Sequence, residues 1–152
     1  MLEIKDSIED DVFELVNNLR DEDQREADLM GLDPAESLLQ ATQYAVYKKS
    51  IFLDGEIMAM WGVAGNLFGS IGALYLLTSR KALELSPIKF FRIYKREVQI
   101  MSELFPTLTN YVDASYTGAV RMLSLAGFDL EGPFEYGPDK APFIKFTLKT
   151  VN

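Results

Sequence analysis

The chain contains neither cysteine nor histidine. Without cysteine there is no disulfide, no thiolate nucleophile and no cysteine-held metal. Without histidine, the commonest neutral-pH base and the commonest metal ligand are missing together. Any chemistry therefore falls to carboxylates, tyrosines, lysines or backbone groups. The acidic runs Asp10-Asp11 and Asp21-Glu22-Asp23 lack the alternating oxygen spacing of a calcium loop, so no metal site is expected. Residues 1–20 have no apolar core run of the kind a cleavable signal carries. Internal repeats and low-complexity segments are also absent, and the 152 residues are read as a single domain, 1–152.

One absence argues the other way. Ile57–Ser79 holds no charged residue over twenty-three positions, long enough for a membrane helix. Its middle, however, is broken by Gly62, Gly65, Asn66, Gly69, Ser70 and Gly72. The stretch reads as two central strands joined by a glycine-rich turn within 64–69, and no membrane span is expected.

The net charge of -8 is unevenly placed. Residues 3–36 carry thirteen acidic and three basic side chains, a net of -10, which leaves +2 for the remainder. From residue 80 to 96, Arg80, Lys81, Lys89, Arg92, Lys95 and Arg96 face Glu84 alone. The overall acidity argues against direct nucleic-acid binding. The local basic cluster suits a small phosphorylated ligand or an acidic protein neighbour, or is simply a solvated helix face.

In order along the chain, Leu2–Lys5 alternates as a strand. Ser7 stands as a helix cap before the stripe Ile8, Val12, Leu15, Val16, Leu19, which predicts a helix to about Arg20. Residues 21–30 predict a short acidic helix stopped by Gly31, and Asp33-Pro34-Ala35-Glu36 starts another that runs to about Gln43. Tyr44–Leu53, Glu56–Val63 and Ile71–Thr78 predict three antiparallel strands, the first two joined by Asp54-Gly55. A short helical piece at 79–85 precedes the longest helix, expected from Pro87 to about Phe105. A strand Asn110–Ala114 then feeds a helix from near Ser115 that stops at Gly127-Phe128. Strands near 129–134 and 142–148 close the chain, with a broad connection expected around Tyr136-Gly137-Pro138. Trp61, Phe52, Phe68, Phe143 and Phe146 are assigned to the core.

This element order resembles the GNAT acyltransferase fold over nearly the whole chain. Locally, Tyr116–Phe128 resembles the family's helix after its fifth strand, with Ala119, Gly127 and Phe128 in place, Tyr116 at the usual asparagine and Leu123 at the position of the acid tyrosine. The fold class this implies is α/β, a mixed, mostly antiparallel six- to seven-stranded sheet flanked by helices. Asn110-Tyr-Val-Asp-Ala, Gly127-Phe, Tyr136-Gly-Pro and Pro142-Phe143 further resemble a group of small tailed-phage proteins similar to the internal virion or assembly protein family of T7-like phages. That resemblance implies a virion-associated or assembly role in the host cytoplasm or the particle, with other phage structural proteins or a second copy as partners. It implies no cofactor.

The alternative it implies is an acetyl-CoA-dependent N-acetyltransferase. The family's diphosphate loop needs bare main chain at a helix start, and here Arg80-Lys-Ala-Leu83-Glu-Leu85 has Arg80 in place but leucines at both small positions. Leu77, Ser79, Arg80 and Lys81 are the candidate cofactor-binding residues. Candidate catalytic residues are Glu56 as a base, Asp113 at the end of a strand as an amine-orienting group or helix cap, and Tyr116 as a proton donor. Leu123 cannot donate a proton.

Overall fold

The computed structural model describes residues 1–66 and 68–150. Residue 67, inside the expected glycine-rich turn, lies outside the described residues. Seven strands form one sheet in the order β1-β2-β3-β4-β5-β7-β6. They are β1 (Leu2–Asp6), β2 (Ala45–Leu53), β3 (Glu56–Ala64), β4 (Ile71–Thr78), β5 (Thr107–Asp113), β6 (Asp129–Tyr136) and β7 (Ala141–Lys149). All neighbouring strands are antiparallel except β4 and β5. The helices are α1 (Glu9–Val16), α2 (Asp21–Met30), α3 (Pro34–Tyr44), α4 (Pro87–Ser102) and α5 (Thr117–Leu125), with a 3-10 turn at Arg80–Glu84.

The charge-free stretch becomes β3 and β4 because both faces of the sheet are covered there, which asks for near-continuous apolar strands. From Ile57 to Val63 every residue of β3 is buried. On one face, Val12 and Leu15 of α1 and Leu38 of α3 pack against Ile57 and Met60. On the other, Tyr94, Val98 and Met101 of α4 and Leu123 of α5 pack with Trp61, Val63, Leu74 and Leu108. Each such side chain removed from water contributes about 1.5–3 kcal/mol. Glu97 of α4 is buried in the second layer, where one carboxylate oxygen accepts from Trp61 Nε1 at 3.1 Å and the other from Tyr47 Oη at 2.8 Å. Beside it Trp61 meets the edges of Phe90 and Tyr94. No helix among the described residues is long and apolar enough to cross a membrane.

Several local expectations are corrected. Helix α1 ends at Val16, short of Arg20, and Ser7 does not cap it. Its Oγ instead meets Ser50 Oγ at 2.8 Å, while Asp11 reaches back to the Ile8 N–H. Asp33 does cap α3, its Oδ2 accepting the Glu36 N–H at 3.0 Å. Helix α4 ends at Ser102, three residues before Phe105, which is fully buried. The connection between β6 and β7 is not broad. Tyr136 pairs directly with Ala141, so residues 137–140 make a tight turn, with Gly137 and Lys140 both at positive φ. Earlier in β6 a bulge at Gly132-Pro133 breaks the register between Glu131 and Phe134. Phe68 is fully exposed rather than in the core.

Candidate functional site

Parallel pairing between β4 and β5 covers only Ile71↔Thr107 to Ala73↔Thr109. Their outer neighbours continue to pair with them up to Thr78 and Asp113. The two strands therefore diverge inside an intact sheet and leave a V-shaped gap. Asn110 sits in its angle: Nδ2 donates to the Leu74 carbonyl, and Oδ1 accepts the Tyr111 N–H at 2.8 Å. A single amide thus satisfies one strand group on each side of the point of separation.

Beyond that wedge, the gap is closed by the segment 20–26. The Arg20 N–H donates to the Thr78 carbonyl at 3.0 Å. Asp23 Oδ2 accepts both the Thr78 N–H at 3.2 Å and the Thr78 hydroxyl at 2.5 Å. Across the gap, Glu26 Oε2 accepts the Asp113 N–H at 3.5 Å. Strand groups alternate in direction, so Leu76, between Leu74 and Thr78, turns its N–H and C=O to the same side. No hydrogen-bond partner meets them there among the described residues.

The gap is lined by an unusual set of charges. Burial and then the charge of Asp23 push the Glu26 carboxyl up to about 8, against the lowering effect of the Asp113 N–H hydrogen bond. Burial raises Asp23 to about 6 against the lowering effect of its two Thr78 hydrogen bonds. The Tyr116 phenol is pushed upward by burial and by Asp23, so it stays protonated. Its ring also carries the Arg20 guanidinium at 5.8 Å from the centroid. Asp113 is 1% exposed and accepts from Ser115 N–H at 2.9 Å and from Ser115 Oγ at 2.8 Å. Arg25 Nε reaches Asp113 at 3.3 Å and Ser115 Oγ at 3.2 Å. A carboxyl poised near neutrality and a neutral phenol, on either side of an open strand edge, can exchange protons with a bound molecule.

Of the candidate residues, Asp113 and Tyr116 are brought together here. Asp113 caps the Ser115 turn rather than the helix, since Tyr116 occupies the cap position of α5. Glu56 is not in the gap: it begins β3, is 67% exposed and pairs with Lys81 at 3.4 Å. Leu77 packs on the opposite layer with α1 and α3. Ser79 is fully buried, its Oγ donating to the Ile57 carbonyl and accepting the Lys81 N–H. Arg80 pairs with Asp21 at 3.2 Å, and Lys81 with Glu84 at 3.1 Å. Leu123 is buried core, 4% exposed. Asp23, Glu26, Thr78 and Asn110 were not among the candidates.

The start of α4, where a diphosphate would need free N–H groups, offers few. Pro87 has none, Ser86 Oγ takes the Lys89 N–H, and the Ser86 carbonyl takes that of Phe90. The stretch 80–86 has no glycine that would give a diphosphate a bare main-chain seat.

No protein-family profile matches the chain, and no curated protein matches it significantly. Solved structures do. A GNAT-family acetyltransferase from Streptococcus pneumoniae superimposes with TM-score 0.68 at 17% identity, covering 99% of this chain and 100% of that one. The chain has the GNAT fold. A spermidine N-acetyltransferase from Vibrio cholerae, solved with CoA and spermine, gives TM-score 0.71 at 10% identity, covering 97% and 95%. An aminoglycoside acetyltransferase solved with coenzyme A gives 0.67 at 16%, covering 98% and 95%. These three neighbours are acetyltransferases, and nothing in them supports the phage resemblance.

Proposed function

We propose that this GNAT-fold chain transfers an acyl group from a coenzyme A-type thioester to an amine in the gap between β4 and β5. The observation that carries the proposal is the unpaired edge of β4 at Leu76, bordered by Glu26 and Tyr116. Leu76 would hold the amide-bearing arm of the donor as an added strand does, through main-chain hydrogen bonds. The thioester supplies an electrophilic acyl carbon. An amine nitrogen bonds that carbon as the carbon–sulfur bond breaks. Glu26 takes the proton the nitrogen sheds, and Tyr116 gives one to the departing sulfur, so no net proton is gained or lost. Asp113, held by Ser115 and Arg25, places a carboxyl group beside Glu26 where an amine acceptor would approach. The spermine- and aminoglycoside-related neighbours support an amine acceptor for the same fold.

Thiol release from acetyl-CoA with a panel of primary and polyvalent amines tests this. Glu26→Gln is expected to lower kcat by about 10²-fold while calorimetric acetyl-CoA affinity stays within about twofold. A wild-type chain that neither binds acetyl-CoA nor releases thiol above the amine-free rate sinks the proposal.

A virion-associated or assembly role on the same scaffold is the second reading. The capped, proline-started α4 favours it, because that helix start is a poor diphosphate seat. Recovery of the tagged chain with particle proteins from infected cells, together with no acetyl-CoA binding, would select it.

A further inference from the structure

The Thr78 N–H, hydroxyl and carbonyl and the Asp113 N–H, which β4 and β5 turn to the mouth of the gap, are all taken by one segment of the same chain. Arg20 N–H and the Asp23 carboxylate hold both backbone groups and the hydroxyl of Thr78, the last residue of β4. Glu26 holds the N–H of Asp113, the last residue of β5. Arg25 ties the same helix to Asp113 and Ser115 from the outer side, and Arg20 lies over Tyr116. The Asp23 carboxylate is thus a negatively charged oxygen placed on a backbone N–H and a hydroxyl at the end of the open edge. A thioester carbonyl polarised at the end of that edge would need the same two donors. Both cannot be satisfied at once.

From this geometry we infer that α2 is an autoinhibitory strap: Asp23 occupies the carbonyl-binding donors of Thr78, and the acyl donor enters only as the Arg20–Asp23 end of the strap releases Thr78, while Glu26, further along the helix, keeps its place beside Asp113. The inference rests on the acyl-transfer proposal and names how that site is regulated. The strap is light enough to lift. Apart from Asp23, no residue of α2 is fully buried. At the strand ends its grip is polar, and polar contacts at a cleft mouth exchange readily with a ligand's. The helix ends at Gly31, at φ 72°, followed by Leu32 and the capping Asp33. That glycine lies against Pro138 of the β6–β7 turn, where a Cβ would meet the ring at 3.1 Å, so this end of the strap stays anchored.

The grip also depends on protonation. The groups facing Asp23 and Glu26 are Arg20, Glu22 and Arg25 from their own segment, Asp113 from β5 and Tyr116 from α5. Four carboxyls meet two arginines at the rim, and Glu26, between the charges of Asp23 and Asp113, favours the closed strap while it carries a proton. Rising pH charges Glu26 against both and loosens the closed state.

Hydrogen-exchange mass spectrometry on residues 18–31, with and without acetyl-CoA, tests the strap beside calorimetry on the same samples. Expected are exchange at least about tenfold faster in Asp23→Ala than in wild type, and acetyl-CoA affinity about tenfold tighter. In wild type, acetyl-CoA should speed exchange in 20–23 while slowing it in β4, a pattern that mere loss of packing does not give. Arg25→Ala, at an exposed position, repeats the test without touching Thr78 and should shift both readings the same way by a smaller factor. Equal acetyl-CoA affinity in wild type and both variants overturns the strap and leaves the acyl-transfer proposal standing. Failure of acetyl-CoA to bind any of the three, with exchange freed in Asp23→Ala, overturns the acyl-transfer proposal and the gating role with it.

Discussion

Burial raises the carboxyl of Glu26 to about 8 and that of Asp23 to about 6, each above its ordinary value. A raised acid favours the folded state while protonated. The stabilisation is therefore complete below about pH 4 and is lost as pH climbs through the two folded values. Urea denaturation is expected to show unfolding free energy falling between about pH 5 and pH 9, with the upper half of that fall flattened in Glu26→Gln. A wild-type curve that rises over this range would contradict the assignment. In the proposed reaction the same residue must be ionised, so kcat should climb through about 8, and Glu26→Gln should remove that limb. A second residue-scale case is the pair Gly62 and Tyr75. A Cβ at Gly62 would fall inside 3.0 Å of the Tyr47 carbonyl oxygen and the Tyr75 hydroxyl. Gly62→Ala should cost about 2 kcal/mol. Tyr75→Phe should be neutral or stabilise by about 1 kcal/mol, because the hydroxyl it removes is buried without a partner. Denaturation midpoints decide both, and the double variant should stay destabilised, since the Tyr47 carbonyl belongs to the backbone and cannot swing away.

Among the elements, α4 is fastened to the sheet by Glu97 as well as by its apolar stripe. Glu97→Ala strands the Trp61 N–H and the Tyr47 hydroxyl, for an expected loss of about 3 kcal/mol. Glu97→Gln keeps one acceptor and should lose about half of that. Equal losses for the two would show that the packing, not the hydrogen bonds, is what α4 needs from this position. The apolar stripe itself was readable from spacing, and so were β2, β3, β4 and the Asp33 cap, because each depends on neighbours within a few residues. The ends of α1 and α4 were not. At Ser7 the partner that decides is Ser50, 43 residues away, and at Phe105 it is a bare Gly72 against which the ring packs. The tight turn at 137–140 was also hidden, since it needs Lys140 at positive φ, a conformation its residue type does not advertise. Half of the site was legible: Asp113 and Tyr116 sit at a strand-to-helix junction that sequence can locate. Asp23 and Glu26 looked like two more charges on an acidic helix. Only the fold brings them to partners 55 and 87 residues further on.

Taken whole, the molecule is electrically two-sided. The acidic residues of 3–36 lie on β1 and the helices α1, α2 and α3, while Lys89, Arg92, Lys95 and Arg96 line the exposed side of α4. Repulsion within the acidic layer is screened by salt over about 10 Å at 0.1 M. Raising salt from about 20 to 200 mM should therefore lift Tm by about 2–4 °C, and a thermal melt that drops instead would place the attraction between the two sides ahead of the repulsion within one.

The interruption at Gly132-Pro133 reaches beyond its own strand. Chains that stack through open sheet borders need two usable borders, one to receive and one to offer. On β6 the missing proline donor and the slipped residue leave no unbroken row for a newcomer to zip onto. Of the two border strands β1 keeps such a row, so growth by strand addition is expected to halt at a pair.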